Sequence, residues 1–309
     1  MASIATLTMN PTIDVAYEVD RVEPTHKLRS HGERYEAGGG GINVARVFER
    51  LGGDAQCHYL SGGATGVALD GLLGRHRLER RPMRIAGETR IACNVFERES
   101  GKEYRFVPAG PRVSEGEWRA SLAMLADMQG DYFVASGSLP PGMPADFYAR
   151  VAGIAQERGA KCVLDSSGEA LRGGLSGPRV HLVKPSLAEL EDLAGRTLGS
   201  HEAIGGAAMD LIESGRAELV AVTMGADGGL LASAAGPRHL PAIPVEAKSA
   251  VGAGDSFLAA MIHALSEGRE PLDAFRYGMA AGSAAVLTPG TDLAMPADIE
   301  RLYAQGCGR

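Results

Sequence analysis

The segment Val251-Gly252-Ala253-Gly254-Asp255-Ser256 sets a glycine-bracketed turn directly before an acid, at the start of a helical pattern. Helix-start N–H groups lack intrahelical partners and carry the positive end of the helix dipole, so such a turn cradles an anion. An acid in that first turn stands close enough to take a proton from a hydroxyl attacking a phosphate. Asp255 therefore has two readings at this level: a general base, or an acid that only stabilises its helix terminus. A second run, Gly38-Gly39-Gly40-Gly41-Ile42-Asn43, lies far upstream and also opens a helical pattern. Two such turns imply two anionic ligands, the arrangement that moves a phosphoryl group between molecules. Asn43 adds an amide able to bind sugar hydroxyls, while the glycines alone are equally consistent with a flexible turn.

Other phosphate chemistries lack their signatures. No GxxxxGK[ST] segment is present, which argues against a P-loop kinase, and no GxGxxG follows the first strand pattern. The 309 residues suffice for one large α/β domain or two ordinary ones. With a formal net charge of -7 and no long basic run, the chain is not expected to bind nucleic acid. Apolar stretches such as 258–265 and 279–287 are too short to span a bilayer, and the start lacks a basic flank followed by an apolar core. A cytoplasmic protein without a membrane partner is expected. Cys57, Cys93, Cys162 and Cys307 form no CxxC pair and the histidines no HExxH pattern, so reduced thiols are expected and no histidine is assigned to catalysis.

The candidate residues need a framework, and the chain's periodicity supplies one. Strand-like apolar runs at 131–136, 161–165, 181–184 and 219–224 alternate with helical patterns such as 144–158, as in a parallel sheet covered by helices. Earlier, 4–8 and 55–61 read as strands and 41–51 as a helix. The expected fold is therefore α/β, a doubly wound sheet flanked by helices. The stretches 15–37 and 88–107 instead alternate polar and apolar residues with no helical pattern between them, as half-exposed antiparallel strands do. They are expected to form a small β-sheet lid inserted into one domain spanning 1–309. S-x-x-E capping boxes at Ser114/Glu117 and Ser186/Glu189 mark two helix starts, and helical patterns at 252–267, 271–287 and 296–305 complete the C-terminal part.

Five motifs in this order carry a family resemblance: Thr8-Met9-Asn10-Pro11-Thr12-Ile13-Asp14, the segment 38–46, Ser136-Gly137-Ser138-Leu139-Pro140-Pro141-Gly142, Asp165-Ser166-Ser167-Gly168-Glu169-Ala170-Leu171, and 251–256. Together they resemble the phosphofructokinase B branch of the ribokinase-like sugar kinases, across nearly the whole chain. Within that branch, 38–46 and Tyr104-Arg105-Phe106-Val107 look most like the minor, regulated bacterial type of 6-phosphofructokinase. The resemblance implies ATP-dependent phosphorylation of fructose 6-phosphate at its 1-hydroxyl, in a homodimer paired through the lid. Relatives that phosphorylate fructose 1-phosphate or tagatose 6-phosphate share most of these motifs. A sugar-phosphate-binding regulator without turnover is a further reading.

Carried over by position, the resemblance implies Asp255 as catalytic base, with Gly252, Ala253 and Gly254 forming an anion hole. Asp14, Gly39, Gly40 and Asn43 match contacts to sugar hydroxyls; Lys27, Arg90, Arg105 and Ser138 match the sugar-phosphate end. On the ATP side, Lys184, Ser186 and Glu189 match a Lys-Pro-Asn-x-x-Glu segment in which serine here replaces asparagine, with Glu189 reaching Mg²⁺ through water. Thr223, Gly225 and Gly228 match the nucleotide loop. Ser249, Val251, Ala285 and Gly290 match a monovalent-cation site for K⁺, although Ala250 and Asp292 depart from the threonine and arginine usual there.

Overall fold

A computed structural model describes residues 3–246, 249, 251–287 and 292–307. The larger sheet is built from β1 (Ser3–Thr8), β4 (Asp54–Gly62), β5 (Glu79–Ile85), β8 (Tyr132–Ser136), β9 (Lys161–Asp165), β10 (Val180–Val183), β11 (Ala217–Thr223), β12 (Gly229–Ser233) and β13 (Gly236–Leu240). Its order is β13-β12-β11-β10-β9-β8-β1-β4-β5, parallel from β5 to β11 and antiparallel through β12 and β13. Central strands are apolar on both faces because helices cover both. Ile4 faces one core while Ala5 and Leu7 face the other, and Tyr132 and Val134 oppose Phe133 and Ala135 in the same way.

On one face lie α1 (Gly40–Arg50), α2 (Gly63–Leu73), α8 (Ala253–Ser266), α9 (Pro271–Ala285) and α10 (Pro296–Cys307), contributing Phe48, Leu73, Leu258, Phe275 and Ile299 to one core. On the other lie α3 (Glu115–Leu125), α4 (Phe147–Glu157), α5 (Gly168–Gly174), α6 (Leu187–Ala194) and α7 (His201–Glu213), contributing Trp118, Phe147, Leu171, Leu190 and Leu211. Both expected capping boxes form, each with its serine accepting from the N3 backbone and its glutamate accepting from the N-cap backbone. Cys57 and Cys162 are buried free thiols whose pKa burial pushes up to about 12. None of the helices described is long and apolar enough to cross a membrane.

The two divergent stretches form a separate four-stranded sheet of β2 (Thr12–Val19), β3 (His31–Gly38), β6 (Arg90–Glu97) and β7 (Lys102–Phe106), ordered β3-β2-β6-β7. One expectation is corrected here: the sheet is mixed, because β2 and β6 pair in parallel while each pairs antiparallel with its own hairpin partner. β2 and β6 both leave the larger sheet in the same direction, following β1 and β5, so they meet side by side pointing the same way. The register places Thr12, Asp14, Arg90 and Ala92 on one face, and Tyr35, Val15, Cys93 and Phe106 in one cross-strand row on the other.

Sequence periodicity missed α2, α5, α7, β5, β12 and β13. Gly63–Leu73 is apolar nearly all round with three glycines, so it shows little helical stripe. Glu79–Ile85 is an edge strand with three arginines and a proline, a composition that protects an edge but hides a strand. Since α8 carries the candidate base, its anchoring in the core is a stability matter: Leu258 is fully buried. Leu258→Ala is expected to lower unfolding stability by about 2–5 kcal/mol, read as a drop in the urea midpoint at unchanged slope.

Candidate active site

A cleft of about 370 Å³ opens beyond the carboxyl ends of β1, β8 and β9. The chain passes from β1 to β4 on one side and later returns to β8 on the other, so the cleft sits where the strand order reverses. The N-termini of α1 and α8 both meet it, as do β2 and β6 through the face that carries Asp14 and Arg90. Asp14, Gly39, Gly40, Asn43, Arg90, Arg105, Ser138, Glu189, Val251, Gly252 and Asp255 all line it.

The turn at 251–254 forms as the spacing predicted. Gly252 is the N-cap of α8 at φ 73, a left-handed conformation, and a Cβ there would also lie 2.5 Å from Leu293 Cδ2. Asp255 follows in the first helical turn. Its Oδ2 accepts a 2.8 Å hydrogen bond from Asn43 Nδ2, which joins the two glycine turns across 212 residues of sequence. Burial pushes the Asp255 carboxyl up to about 6; the nearby Asp165 charge adds to the rise, while Asn43 and Lys184 oppose it.

The upstream run is less a phosphate cradle than a crowded crossing. A Cβ on Gly38 would lie 2.0 Å from Asp14 Oδ2, so the carboxylate stands where any side chain at 38 would be. The Ile42 N–H is spent on Thr8 Oγ1 at 2.9 Å. Burial also raises the pKa of Asp14, opposed by the Thr12 hydroxyl and by Arg90, Arg105 and Arg46. Arg46, on α1, donates to Glu36 Oε2 and the Ala37 carbonyl, which splints β3 against the helix carrying Asn43.

Arg90 spends Nη1 on the Pro108 carbonyl and Nη2 on the Asn10 carbonyl, leaving its buried Nε without a partner. An unpartnered guanidinium N–H at a cleft wall fits an anionic ligand. Arg105 is exposed and reaches the same cleft. Lys27 does not: it lies exposed in the connection between β2 and β3, outside the lining residues.

Lys184 is buried and pairs with Asp165 Oδ1 at 3.0 Å. Burial works against its ammonium, but Asp165, Asp255 and Glu189 outweigh that cost and hold its pKa above the ordinary lysine value. Its Nζ lies 3.4 Å from the position a Cβ on Gly254 would take, so it flanks the N-terminus of α8. Asp165 is the site residue that sequence reasoning did not single out, although it opens the fourth of the five motifs. It ends β9, lines the cleft, and accepts from Ser136 Oγ at 3.4 Å.

Ser186 is the N-cap of α6, and its backbone N–H donates to Glu189 Oε2 at 2.7 Å. Serine and asparagine are both strong N-caps, which explains the exchange at this position. Glu189 keeps Oε1 for another ligand, and with Asp165 near Lys184 these carboxylates fit a hydrated divalent cation. The Thr223 N–H donates to the Pro185 carbonyl, lacing the end of β11 to the Lys184–Ser186 stretch. Gly225 and Gly228 bracket a 3-10 turn inside the β11–β12 hairpin, beyond the cleft lining. Ser249 is buried and its N–H reaches the Val286 carbonyl, which brings it to the end of α9 beside Ala285. Ala250 and Gly290 lie outside the described residues.

The family model described as pfkB family carbohydrate kinase matches residues 6–298. The chain belongs to that family. It is thus an ATP-dependent sugar kinase, and a carbohydrate kinase of this kind works with ATP and a divalent cation. It is 43% identical over 302 residues to ATP-dependent 6-phosphofructokinase isozyme 2 of Mycobacterium tuberculosis, covering 97% of this chain and 88% of that one. Among solved structures, phosphofructokinase-2 from Escherichia coli in complex with potassium superposes with a TM-score of 0.94 at 36% identity, covering 99% and 100% of the two chains. The tetrameric inhibited form of that Escherichia coli enzyme gives 0.92 at 36% identity with the same coverage.

A general base must be ionised, so if the Asp255 carboxyl serves as one its raised pKa has a kinetic signature. The expected kcat/KM for the sugar is flat at higher pH and falls about tenfold per unit below pH 6. Asn43→Leu removes a hydrogen bond that favours the carboxylate, so the acid limb is expected to move to higher pH. A pH–rate profile of both proteins checks the sign; a limb that stays in place or moves lower contradicts the coupling.

Proposed function

We propose that this pfkB kinase is an ATP-dependent 6-phosphofructokinase, converting fructose 6-phosphate to fructose 1,6-bisphosphate with Asp255 as general base. The observation that carries the reading is Asp255: a carboxylate raised to about 6, held by Asn43 at the start of α8, facing the cleft that Asp14, Arg90, Arg105 and Ser138 also line. The Mycobacterium tuberculosis relative supports fructose 6-phosphate as the acceptor. Asp14, Gly39, Gly40 and Asn43 hold the sugar hydroxyls, and Arg90, Arg105 and Ser138 hold its phosphate. Lys27, exposed and away from the cleft, is left out of this set.

In this reading the oxygen of the sugar's 1-hydroxyl attacks the γ-phosphorus of ATP while Asp255 takes the hydroxyl proton. The bond from that phosphorus to the β–γ bridging oxygen breaks, and ADP leaves. Backbone N–H groups of Gly252, Ala253 and Gly254, with the Lys184 ammonium beside them, meet the charge that spreads over the transferring group. Lys184, Ser186, Thr223, Gly225 and Gly228 form the nucleotide side. Glu189 and Asp165 would hold a hydrated Mg²⁺, which would supply charge neutralisation to the phosphates. Ser249, Val251 and Ala285 would hold a K⁺ ion, a reading supported by the potassium complex of the Escherichia coli enzyme.

The whole chain acts as one kinase unit, with the smaller sheet as its lid. The lid's outer face carries Tyr35, Ile91 and Phe106 at 47%, 42% and 61% exposure, an apolar surface that a second copy of the chain would cover. The homodimer so formed is compatible with the tetramer recorded for the Escherichia coli enzyme.

A purified-enzyme panel tests the substrate. We expect kcat/KM for fructose 6-phosphate at least about tenfold above that for fructose 1-phosphate or tagatose 6-phosphate, which is roughly 1.4 kcal/mol of discrimination. A preference for either competitor reassigns the acceptor, and sugar binding without ATP consumption favours a regulator. Asp255→Asn is expected to lower kcat by about 10²–10⁴ while ATP binding by calorimetry stays near normal; near-normal turnover removes Asp255 as the base. For the assembly, Phe106→Asp is expected to shift the sedimenting species from dimer to monomer, and an unchanged assembly contradicts pairing through this face.

A further inference from the structure

Asn10 belongs to the first of the ordered motifs, yet it is not among the residues that line the cleft. It is 5% exposed, just beyond β1. Its side-chain Nδ2 donates to the Ala109 carbonyl at 3.0 Å and to Ser138 Oγ at 3.1 Å. Its backbone carbonyl accepts from Arg90 Nη2 at 2.7 Å. One residue thus touches β6 of the smaller sheet, the connection after β7 at Ala109, and the loop after β8.

The direction of these bonds is fixed by chemistry. A backbone carbonyl can only accept, so the atom facing Ala109 must be the amide nitrogen and not the amide oxygen. That nitrogen has two hydrogens and no acceptor capacity, so one goes to Ala109 and the other to Ser138. Ser138 Oγ therefore accepts from Asn10, and its own hydroxyl hydrogen remains for a different acceptor. The amide oxygen has been given room on the other side: a Cβ on Gly110 would lie 2.2 Å from Asn10 Oδ1. Placing a side chain at 110 would push the amide out of this orientation.

We propose that Asn10 is a positioning residue that commits the Ser138 hydroxyl to donate into the cleft, toward the anionic group of the acceptor sugar. The inference rests on the reading of Ser138 as a sugar-phosphate contact. Ser138 and Arg90 line the same cleft, and Asn10 holds both, one through its side chain and one through its backbone. The Ser138 O–H is the donor left there, beside the positive charge of Arg90, and both suit an acceptor-only phosphate oxygen.

The test is a double-mutant cycle of Asn10→Ala and Ser138→Ala, with Asn10→Asp as a reversal of polarity. The phosphohexose used is the one the wild-type enzyme prefers in the substrate panel, so a wrong acceptor assignment shows in the wild type before any variant is made. Ser138→Ala is expected to raise KM for the phosphohexose about 10- to 100-fold, the range for a hydrogen bond to a charged group. KM for MgATP should stay within about twofold. Asn10→Ala frees the hydroxyl without deleting it, so its KM should rise about 3- to 10-fold, and the double variant should match Ser138→Ala within about twofold. A carboxylate at 10 accepts the Ser138 hydrogen, so Asn10→Asp should approach the Ser138→Ala level. The proposal is overturned if the Asn10→Ala effect persists in full on the Ser138→Ala background, if it lowers kcat and raises both KM values alike, or if Asn10→Asp is no worse than Asn10→Ala. If neither Asn10 variant folds, Ser138→Ala alone decides: less than about a threefold rise in KM overturns it.

Discussion

The Asn43–Asp255 hydrogen bond, 2.8 Å long across 212 residues of chain, is the interaction on which the rest of the site depends. It fixes the helix that follows the smaller sheet against the helix that carries the candidate base. Neither helix could hold that relation alone, because α1 runs from β3 into β4 while α8 enters much later in the chain, after β13. The bond exists only because α1 and α8 lie against each other on the same face, with Phe48, Leu258 and Phe275 packed in a common core. Core packing and proton chemistry meet at this contact.

Around that bond the protein keeps four carboxylates in the cleft, and burial raises the pKa of three of them, Asp14, Asp165 and Asp255. The opposing charges are distributed by function. Lys184 stands beside Asp165 and the start of α8, while Arg90 and Arg105 stand near Asp14. A carboxylate poised near 6 is ionised at neutral pH yet retains a useful proton affinity, which is the compromise a general base needs. The same cleft offers guanidinium, hydroxyl and helix-terminal donors to anionic ligands, so substrate charges take part in a balance that the protein alone leaves strained.

Much of this was legible in residue order. The glycine turn before Asp255, both capping boxes, the alternation of strands and helices, and the two stretches of the smaller sheet all form where local patterns placed them, because each is set by hydrogen bonding or side-chain alternation over a few residues. The parallel pairing of β2 with β6 was not legible, since strand direction follows from where each strand leaves the larger sheet. The edge strand β5, with its arginines and proline, concealed itself for the same reason that it is soluble as an edge. Asp165 was visible as a motif residue but not as a member of the site, because its neighbours Ser136 and Lys184 come from the end of β8 and from just beyond β10.

By itself, then, the sequence determined the local chemistry: an acid behind a glycine turn, an amide behind a glycine run, and caps and periodicities that place them at helix starts. Local geometry is decided by groups that are adjacent along the chain. Only the tertiary structure decided which of these groups meet, that Gly38 is bare because Asp14 occupies the space, that Asn10 donates to Ser138, and that Lys27 stands apart from the cleft. Those facts depend on approach distances and on desolvation between segments far apart in sequence, and such quantities acquire values only when the sheet has brought the segments together.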